Sequence, residues 1–529
     1  MNNRFILPFI LLILLILLCQ NVSAQHEKSI VIQPGECWYG IGSSYGSRLP
    51  IKSDTPDCTF RPLYDVGSQY LISSHGRYVW CDKSYTLEKK DSLLIVNCHR
   101  ADIELWEGGK TLRDAYMAVS KHFPPSGKTP PDEFFVAPTY NTWIELGYKQ
   151  NQKGVMEYAR GILANGLKPG VLMIDGTWQF DHGEWDFRAD RFPNPKEMVD
   201  SLHAMGFKVM IWCSPFISPD CMMYRTHKGL YFLAKGKKST AIINWWVGYS
   251  ACYDLSNPEA FAFLTSQFRD LQERYGIDGF KFDAGDCQFY KEKEIDVYDG
   301  QSYDMDQTRL WAKLAKQFPY NELRACWGEQ SQPVIIRLGD QSYSWNAVAS
   351  LVPSLVNLGL MGYQFTCPDM IGGGLISTFQ NVKEDEFDSS LIIRSCQIHS
   401  MMPMMQFSLA PWRVLKPEHM AIIRKCSELH VQMGPYIKEQ TLKSAQTGEP
   451  IVRHMDYEFP GEGFEAVIDQ YMLGDRYLVA PVYTSAEERT VRFPRGRWRD
   501  EQGKIYKGGK TYTIAVPLDR IPYFERIRK

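Results

Sequence analysis

The chain lacks an excess of either charge. Its 59 Lys and Arg residues nearly cancel 61 Asp and Glu, so it offers no basic face to nucleic acid. It also lacks CxxC pairs, zinc-ligand spacings and HExxH, and with them the usual sequence marks of a metal site. No low-complexity tract, run of like charges or short-period repeat is present, which excludes disordered tails and solenoids. Long hydrophobic runs are missing except for one, FILPFILLILLILLC at 5–19. A short polar start with Arg4 precedes it, and NVSAQ follows, with small residues at Val22 and Ala24. The run is shorter than the ~20 residues of a membrane span. Residues 1–24 therefore read as an export signal, which predicts a periplasmic or secreted chain with no integral span once mature. Cys19 raises a lipid anchor as the lesser reading, because Leu18 stands where such signals carry a small residue.

What is there is aromatic. The 14 Trp, 29 Tyr and 27 Phe suit the faces of sugars, and they equally suit a large core. Thirteen Cys are present. Export permits disulfides, and Cys37, Cys58, Cys81 and Cys98 offer a pair or two; the rest read as buried thiols. A chain of 529 residues has room for several domains. Residues 25–130 alternate in the manner of short antiparallel strands, which predicts an N-terminal β-sandwich domain closed by a Pro- and Gly-rich linker. Strand and helix patterns then alternate from FFVAPTYNTW (134–143) to a helix over 417–429. Eight strands alternating with helices predict a (β/α)8 TIM barrel, residues 131–435, of the α/β class. The link between strands 5 and 6 holds no helix pattern. Strand rhythm returns after about 445, so 436–529 is expected as a C-terminal β-domain of sandwich type.

The stretch GIDGFKFDAGD, 276–286, carries four charges in a strand that ought to be buried: Asp278, Lys281, Asp283 and Asp286. Inward and outward positions alternate along a barrel strand. Gly279, Lys281 and Asp283 share one parity, and Phe280 and Phe282 share the other. Asp283 then faces the axis near the strand's C-terminal end, where barrel enzymes keep their chemistry. A Lys281–Asp283 pair filling the interior is the plainer alternative. Asp175, Asp340 and Asp369 also follow strand ends, and each alone could be a helix cap. Together they form one rim, flanked by Trp143, Trp178, Trp212, Trp245, Trp246 and Trp345. Carboxylates between aromatic walls suit glycoside hydrolysis, in which one attacks the anomeric carbon and another protonates the leaving oxygen. Asp286 is the rival nucleophile. Arg337 is either a second sugar-contacting cation or half of an inward ion pair. GSSYG (42–46) fits G-x-S-x-G but lacks its strand–turn–helix setting and reads as a turn. GKKST (236–240) lacks the first Gly of a P-loop.

These stretches resemble glycoside hydrolase family 31. The likeness rests on GIDGFKFDAGD, RACWGEQSQ (324–332), RLGDQSYSW (337–345), PDMIGG (368–373) and MPMMQFSLAPWR (402–413), in that order, with GEPIVRHM and YMLGDRYLVAPV beyond. The branch it is most similar to is that of the α-galactosidase-like myogenesis-regulating glycosidases. The resemblance implies a retaining, cofactor-free hydrolase of terminal α-linked sugars. It implies that Asp283 is the nucleophile and Asp340 the acid/base. Arg324, Asp175, Trp245 and Trp246 are then sugar-contacting, with Lys281 and Asp369 beside them. The α-glucosidase branch carries an Arg and a His in its PFFRxH-like segment, where this chain has PMMQFS, with Gln406 and Ser408. That departure favours α-galactosides as substrates. α-Glucosidase, α-xylosidase and sulfoquinovosidase activities remain as alternatives, as does a catalytically silent sugar-binding protein.

Overall fold

The structure, a computed structural model, describes residues 26–61, 65–236, 239–290 and 295–527. The expected export signal and Cys19 lie outside the described residues, as do Lys237 and Lys238 of the GKKST stretch.

Eight short parallel strands form the central sheet: β1 (Thr139–Asn141), β2 (Val171–Ile174), β3 (Lys208–Cys213), β4 (Gly279–Phe282), β5 (Tyr320–Leu323), β6 (Ile335–Arg337), β7 (Thr366–Cys367) and β8 (Gln406–Phe407). They pair in the order β7-β6-β5-β4-β3-β2-β1-β8. The seam between β7 and β8 is tied by the amide of Ile371, which donates to the Gln406 carbonyl at 2.8 Å. This is the expected (β/α)8 barrel. The first strand is shorter than its pattern. Glu133–Val136 makes a helical turn instead, and pairing starts only after Pro138, whose ring supplies no amide hydrogen.

The helices are α1 (Gln152–Ala164), α2 (Pro195–Ala204), α3 (Pro258–Tyr275), α4 (Met305–Ala315), α5 (Trp345–Leu360), α6 (Ser389–Ser400) and α7 (Pro417–Thr447). Helix α3 shows why the sequence signals worked. The Asn257 side chain accepts from the Glu259 amide, Pro258 opens the first turn, and Gly276 ends it at φ 74°. Helix α7 runs on to Gly448. It therefore carries through the 435/436 position expected as a domain border, and the strands beyond it begin at Val452. Between β5 and β6 there is no helix, as the sequence suggested.

Two four-stranded antiparallel sheets make the N-terminal sandwich. One orders His26–Val31, Leu93–Cys98, Tyr85–Lys90 and Cys58–Phe60; the other orders Trp38–Gly42, Gly67–Ser73, Arg77–Trp80 and Glu104–Glu107. The C-terminal domain has a six-stranded and a two-stranded sheet. The sandwich docks where the barrel lacks its helix. Val66 bridges in parallel to Cys326 in the β5–β6 link. The Gly67 amide donates to the Cys326 carbonyl, and the Cys326 amide donates to the Asp65 carbonyl. That docking sets Asp65 at the barrel rim. The twelve described cysteines are free thiols, and none of the described helices is long and apolar enough to cross a membrane.

Candidate active site

The four charges of 276–286 have four different jobs. Asp278 lies at the bottom of the barrel, where it accepts from the Val209 amide and meets His203, both at 2.8 Å. Phe280 and Phe282 face outward as parity requires and pack on Phe268, Trp311 and Phe318, with ring centroids 4.8–5.1 Å apart for the nearest pairs. Gly279 is required by close approach, since a Cβ there would sit 1.9 Å from the Tyr320 carbonyl oxygen. Lys281 faces the axis, but its partner is Asp175 across the barrel at 2.6 Å, not Asp283. Below them lies a buried polar layer. Gln406 donates to Glu322 at 2.7 Å, and Arg337 Nε stands 3.4 Å from the same carboxylate.

Asp283 sits at the rim with both oxygens fixed. Its Oδ1 accepts from Arg324 Nε at 2.7 Å and from the Ala284 amide at 2.8 Å; its Oδ2 accepts from the Trp212 indole at 2.8 Å. Burial pushes this carboxyl upward, yet Arg324, Lys281 and Arg337 outweigh burial and hold it well below the usual carboxylate range. Asp286, the rival candidate, is a partner of Arg324: it takes both guanidinium Nη groups and is fully buried. Asp340 is tied by Arg337 Nη1 at 2.9 Å. Its side chain keeps 34% of its surface and that of Asp283 keeps 14%, so both acids reach solvent at one mouth. Arg337 is thus the inward ion-pair residue, holding Asp340 and Asp369 together.

The remaining expected contacts divide by burial. Asp369 is sealed: one oxygen meets Arg337 and the other accepts from the Gln341 amide. Burial, offset by Arg337 and aided by Asp340, pushes it up to about 7. Lys281 and Asp175 each keep 4% of their side-chain surface. Trp245 is 5% exposed, stacks on Phe216 at 4.4 Å and donates to Ser250. Trp246 is its opposite, 52% exposed, with the Arg324 guanidinium 4.9 Å from its ring centroid. Trp178 is core, Trp143 donates to the Gly374 carbonyl in the loop over Asp369, and Trp345 bonds Asp388 instead of facing the rim carboxylates.

Sequence reasoning missed Asp65. It comes from the sandwich, accepts from Arg324 Nη1 at 2.8 Å, and lies so close to Gly339 that a Cβ there would meet its Oδ2 at 2.6 Å. Burial, opposed by Arg324 and reinforced by Asp286 and Asp340, pushes it up to about 6. A non-glycine φ of +59° marked it only once the backbone was known. Thr177, Ala284 and Asp369 share that unusual conformation, and such strain gathers at functional sites. Among the described residues, no group of His, Cys, Asp and Glu is arranged to hold a metal ion.

Comparison with known proteins agrees with this architecture. Residues 138–440 match the glycosyl hydrolases family 31 TIM-barrel domain, and residues 448–527 match the C-terminal domain of the same family. The myogenesis-regulating glycosidase of Mus musculus is 30% identical over 422 residues, covering 77% of this chain and 58% of that protein. An alpha-xylosidase of Emericella nidulans is 26% identical over 420 residues, covering 73% and 52%. The chain thus spans little more than half the length of these relatives. The solved structure of a Flavobacterium johnsoniae dextranase complexed with glucose superposes with a TM-score of 0.84 over 96% of this chain and 67% of that one, at 19% identity, a likeness of fold. With two of its domains matched in order around this carboxylate rim, the chain belongs to glycosyl hydrolase family 31.

Proposed function

We propose that the chain is a retaining, exo-acting α-glycosidase that removes terminal α-linked sugars, α-galactosides first among them. One observation carries the reading: Asp283 is held ionised by Arg324 at the same open mouth where Arg337 presents Asp340. Asp283 attacks the anomeric carbon. Its Oδ2 bears a single donor, the Trp212 indole, while Oδ1 bears two, so Oδ2 is the attacking oxygen. Asp340 gives its proton to the departing glycosidic oxygen, and a glycosyl ester forms on Asp283. Asp340 then takes a proton from water, the water oxygen bonds to the anomeric carbon, and the ester bond breaks with net retention. No cofactor enters either step.

The galactose preference is supported by Gln406 and Ser408. Both are fully buried; the first donates to Glu322, and the second accepts from the Ile144 amide at 2.7 Å. Neither can reproduce the Arg and His of the α-glucosidase-like segment. The same reading takes residues 1–24 as an export signal and the working enzyme as periplasmic or secreted.

A panel of 4-nitrophenyl α- and β-glycosides tests the proposal. Dye release from the α-galactoside by the wild type and none by Asp283→Ala is the expected result. Asp340→Ala should retain turnover of substrates with very good leaving groups. Full activity of Asp283→Ala would refute the assignment. Silence across the panel together with sugar binding would make the chain a binding protein.

A further inference from the structure

The donors on Asp283 do not stay equal through a turnover. Arg324 Nε and the Ala284 amide reach Oδ1, and the Trp212 indole reaches Oδ2 at 2.8 Å. In the carboxylate both oxygens carry charge and accept well. Once a sugar is bound through Oδ2, Oδ1 is the carbonyl oxygen of an ester and still accepts. Oδ2 is then the bridging oxygen with its charge gone. A hydrogen bond to an ionised acceptor is about twice as strong as one to a neutral acceptor, so the indole bond weakens. Of these bonds, the one from Trp212 follows the reaction most closely.

The surroundings of Trp212 fix where its N–H points. Trp212 lies on β3 in register with Lys281 of β4, so its side chain leaves the sheet on the same inward side. The Asp283 amide donates to the Cys213 carbonyl at 2.9 Å, and the Trp178 indole donates to the Trp212 carbonyl at 2.8 Å. The main chains that carry indole and carboxylate are thus tied together. The ring lies against His182, with centroids 5.4 Å apart, and over Gly176, where a Cβ would stand 3.6 Å from Trp212 Cδ2. A donor held in this way needs no reorganisation when charge develops in front of it.

We propose that Trp212 is a further catalytic residue whose indole N–H speeds the second half of the reaction by drawing Oδ2 back to a carboxylate. The proposal rests on the reading of Asp283 as nucleophile. In that half, the water oxygen bonds to the anomeric carbon and a water proton passes to Asp340. The bond from the anomeric carbon to Oδ2 breaks, and its electron pair stays on Oδ2. Charge grows there, the indole bond tightens, and the barrier falls. In the first half the same bond loosens as Oδ2 attacks. The indole therefore slows formation of the ester a little and shortens its life.

The test uses the whole chain with Trp212→Phe and the dinitrophenyl form of whichever α-glycoside the panel selects, a substrate on which ester breakdown limits turnover. The fall in kcat should be about tenfold. KM should fall with it and leave kcat/KM level or raised, because kcat/KM reports only the first half. Rapid mixing should show a burst of dinitrophenol matching the enzyme present. Mass mapping of acid-quenched protein should find more ester on the Asp283 peptide than in the wild type. Where Trp212→Phe fails to fold, a benzothiophene isostere at that position keeps the ring system and removes only the N–H. A merely structural ring would misplace Asp283 when lost, so kcat/KM would fall with no added ester; that result overturns the proposal. A fluorinated glycosyl fluoride that labels Asp283 in the wild type secures the nucleophile separately. With that label present, a fall in kcat/KM without added ester sinks the role of Trp212 alone; with no label on Asp283, the reading beneath it falls too.

Discussion

Replacing Lys281 by Met isolates a deeply buried ion pair of the barrel. Lys281 Nζ and Asp175 Oδ2 are 2.6 Å apart, and each side chain keeps 4% of its surface. Their attraction at an effective dielectric near 20 is about 6 kcal/mol, most of it offset by the cost of taking both charges from water. Removing one partner leaves the other charge buried, and the loss is about 3–5 kcal/mol. Asp175→Asn should cost a similar amount. The double variant Lys281→Met/Asp175→Asn leaves no stranded charge, so it should be less destabilised than the sum of the singles by more than about 2 kcal/mol. Urea unfolding of the four proteins, followed by tryptophan fluorescence, measures that coupling. Activity supplies a second readout. Lys281 is one of the cations that hold Asp283 ionised. Its loss raises the Asp283 pKa, so the acid limb of kcat/KM moves to higher pH, while the rate at pH 7 is retained in whatever fraction is folded. Additive effects within about 0.5 kcal/mol, or an unmoved acid limb, would refute the reasoning.

Asp65→Ala should lower kcat/KM by about tenfold or more, or ~1.4 kcal/mol, with the barrel's near-UV circular dichroism unchanged. Trp246→Ala removes the exposed ring over Arg324; a loss of about 0.5–2 kcal/mol should show in initial-rate kinetics as a rise in KM larger than the fall in kcat. Gly279→Ala drives a methyl into the Tyr320 carbonyl and should cost about 3 kcal/mol or more, read as a lower unfolding midpoint. Asp456 is held up at about 7 by burial, with Glu465 adding to it. The folded chain then keeps a proton that the unfolded chain releases near pH 4, so this group's contribution to stability falls as pH rises from about 4 to 7. Asp456→Asn removes that slope, and thermal melts should show its stability relative to wild type rising across the same window.

The parts of the site that were legible in the sequence are those fixed by local rules. Strand parity alone placed Asp283 inward and Phe280 and Phe282 outward, because side chains alternate along any strand. Position after a strand end placed Asp340 at the rim, because barrels expose that end of every strand. What parity cannot supply is a partner. The plainer alternative paired Lys281 with Asp283, two residues away on its own strand, but Lys281 reaches Asp175, just past the end of a strand two places round the barrel. Closure of the sheet brings those positions together, and closure leaves no mark on either segment. Trp245 and Trp246 show the same limit at finer scale. They are adjacent in the chain, yet a hairpin turn sends one ring onto Phe216 and the other over Arg324.

Asp65 marks where local reading stops altogether. Nothing in the residues around it signals function, and the carboxylates it joins lie more than 200 positions away. The clue was an absence, the missing helix between β5 and β6. A barrel that omits one helix leaves the edges of its β5–β6 link uncovered, and buried backbone amides and carbonyls demand partners. The sandwich supplies them through Val66 and Gly67, and the residue before that bridge is thereby carried to the rim. The gap in the α/β rhythm and the acid from a separate domain are then one feature seen from two sides. Filling the gap would displace Asp65 from Arg324, so the sandwich belongs to the catalytic unit as a matter of hydrogen-bond satisfaction.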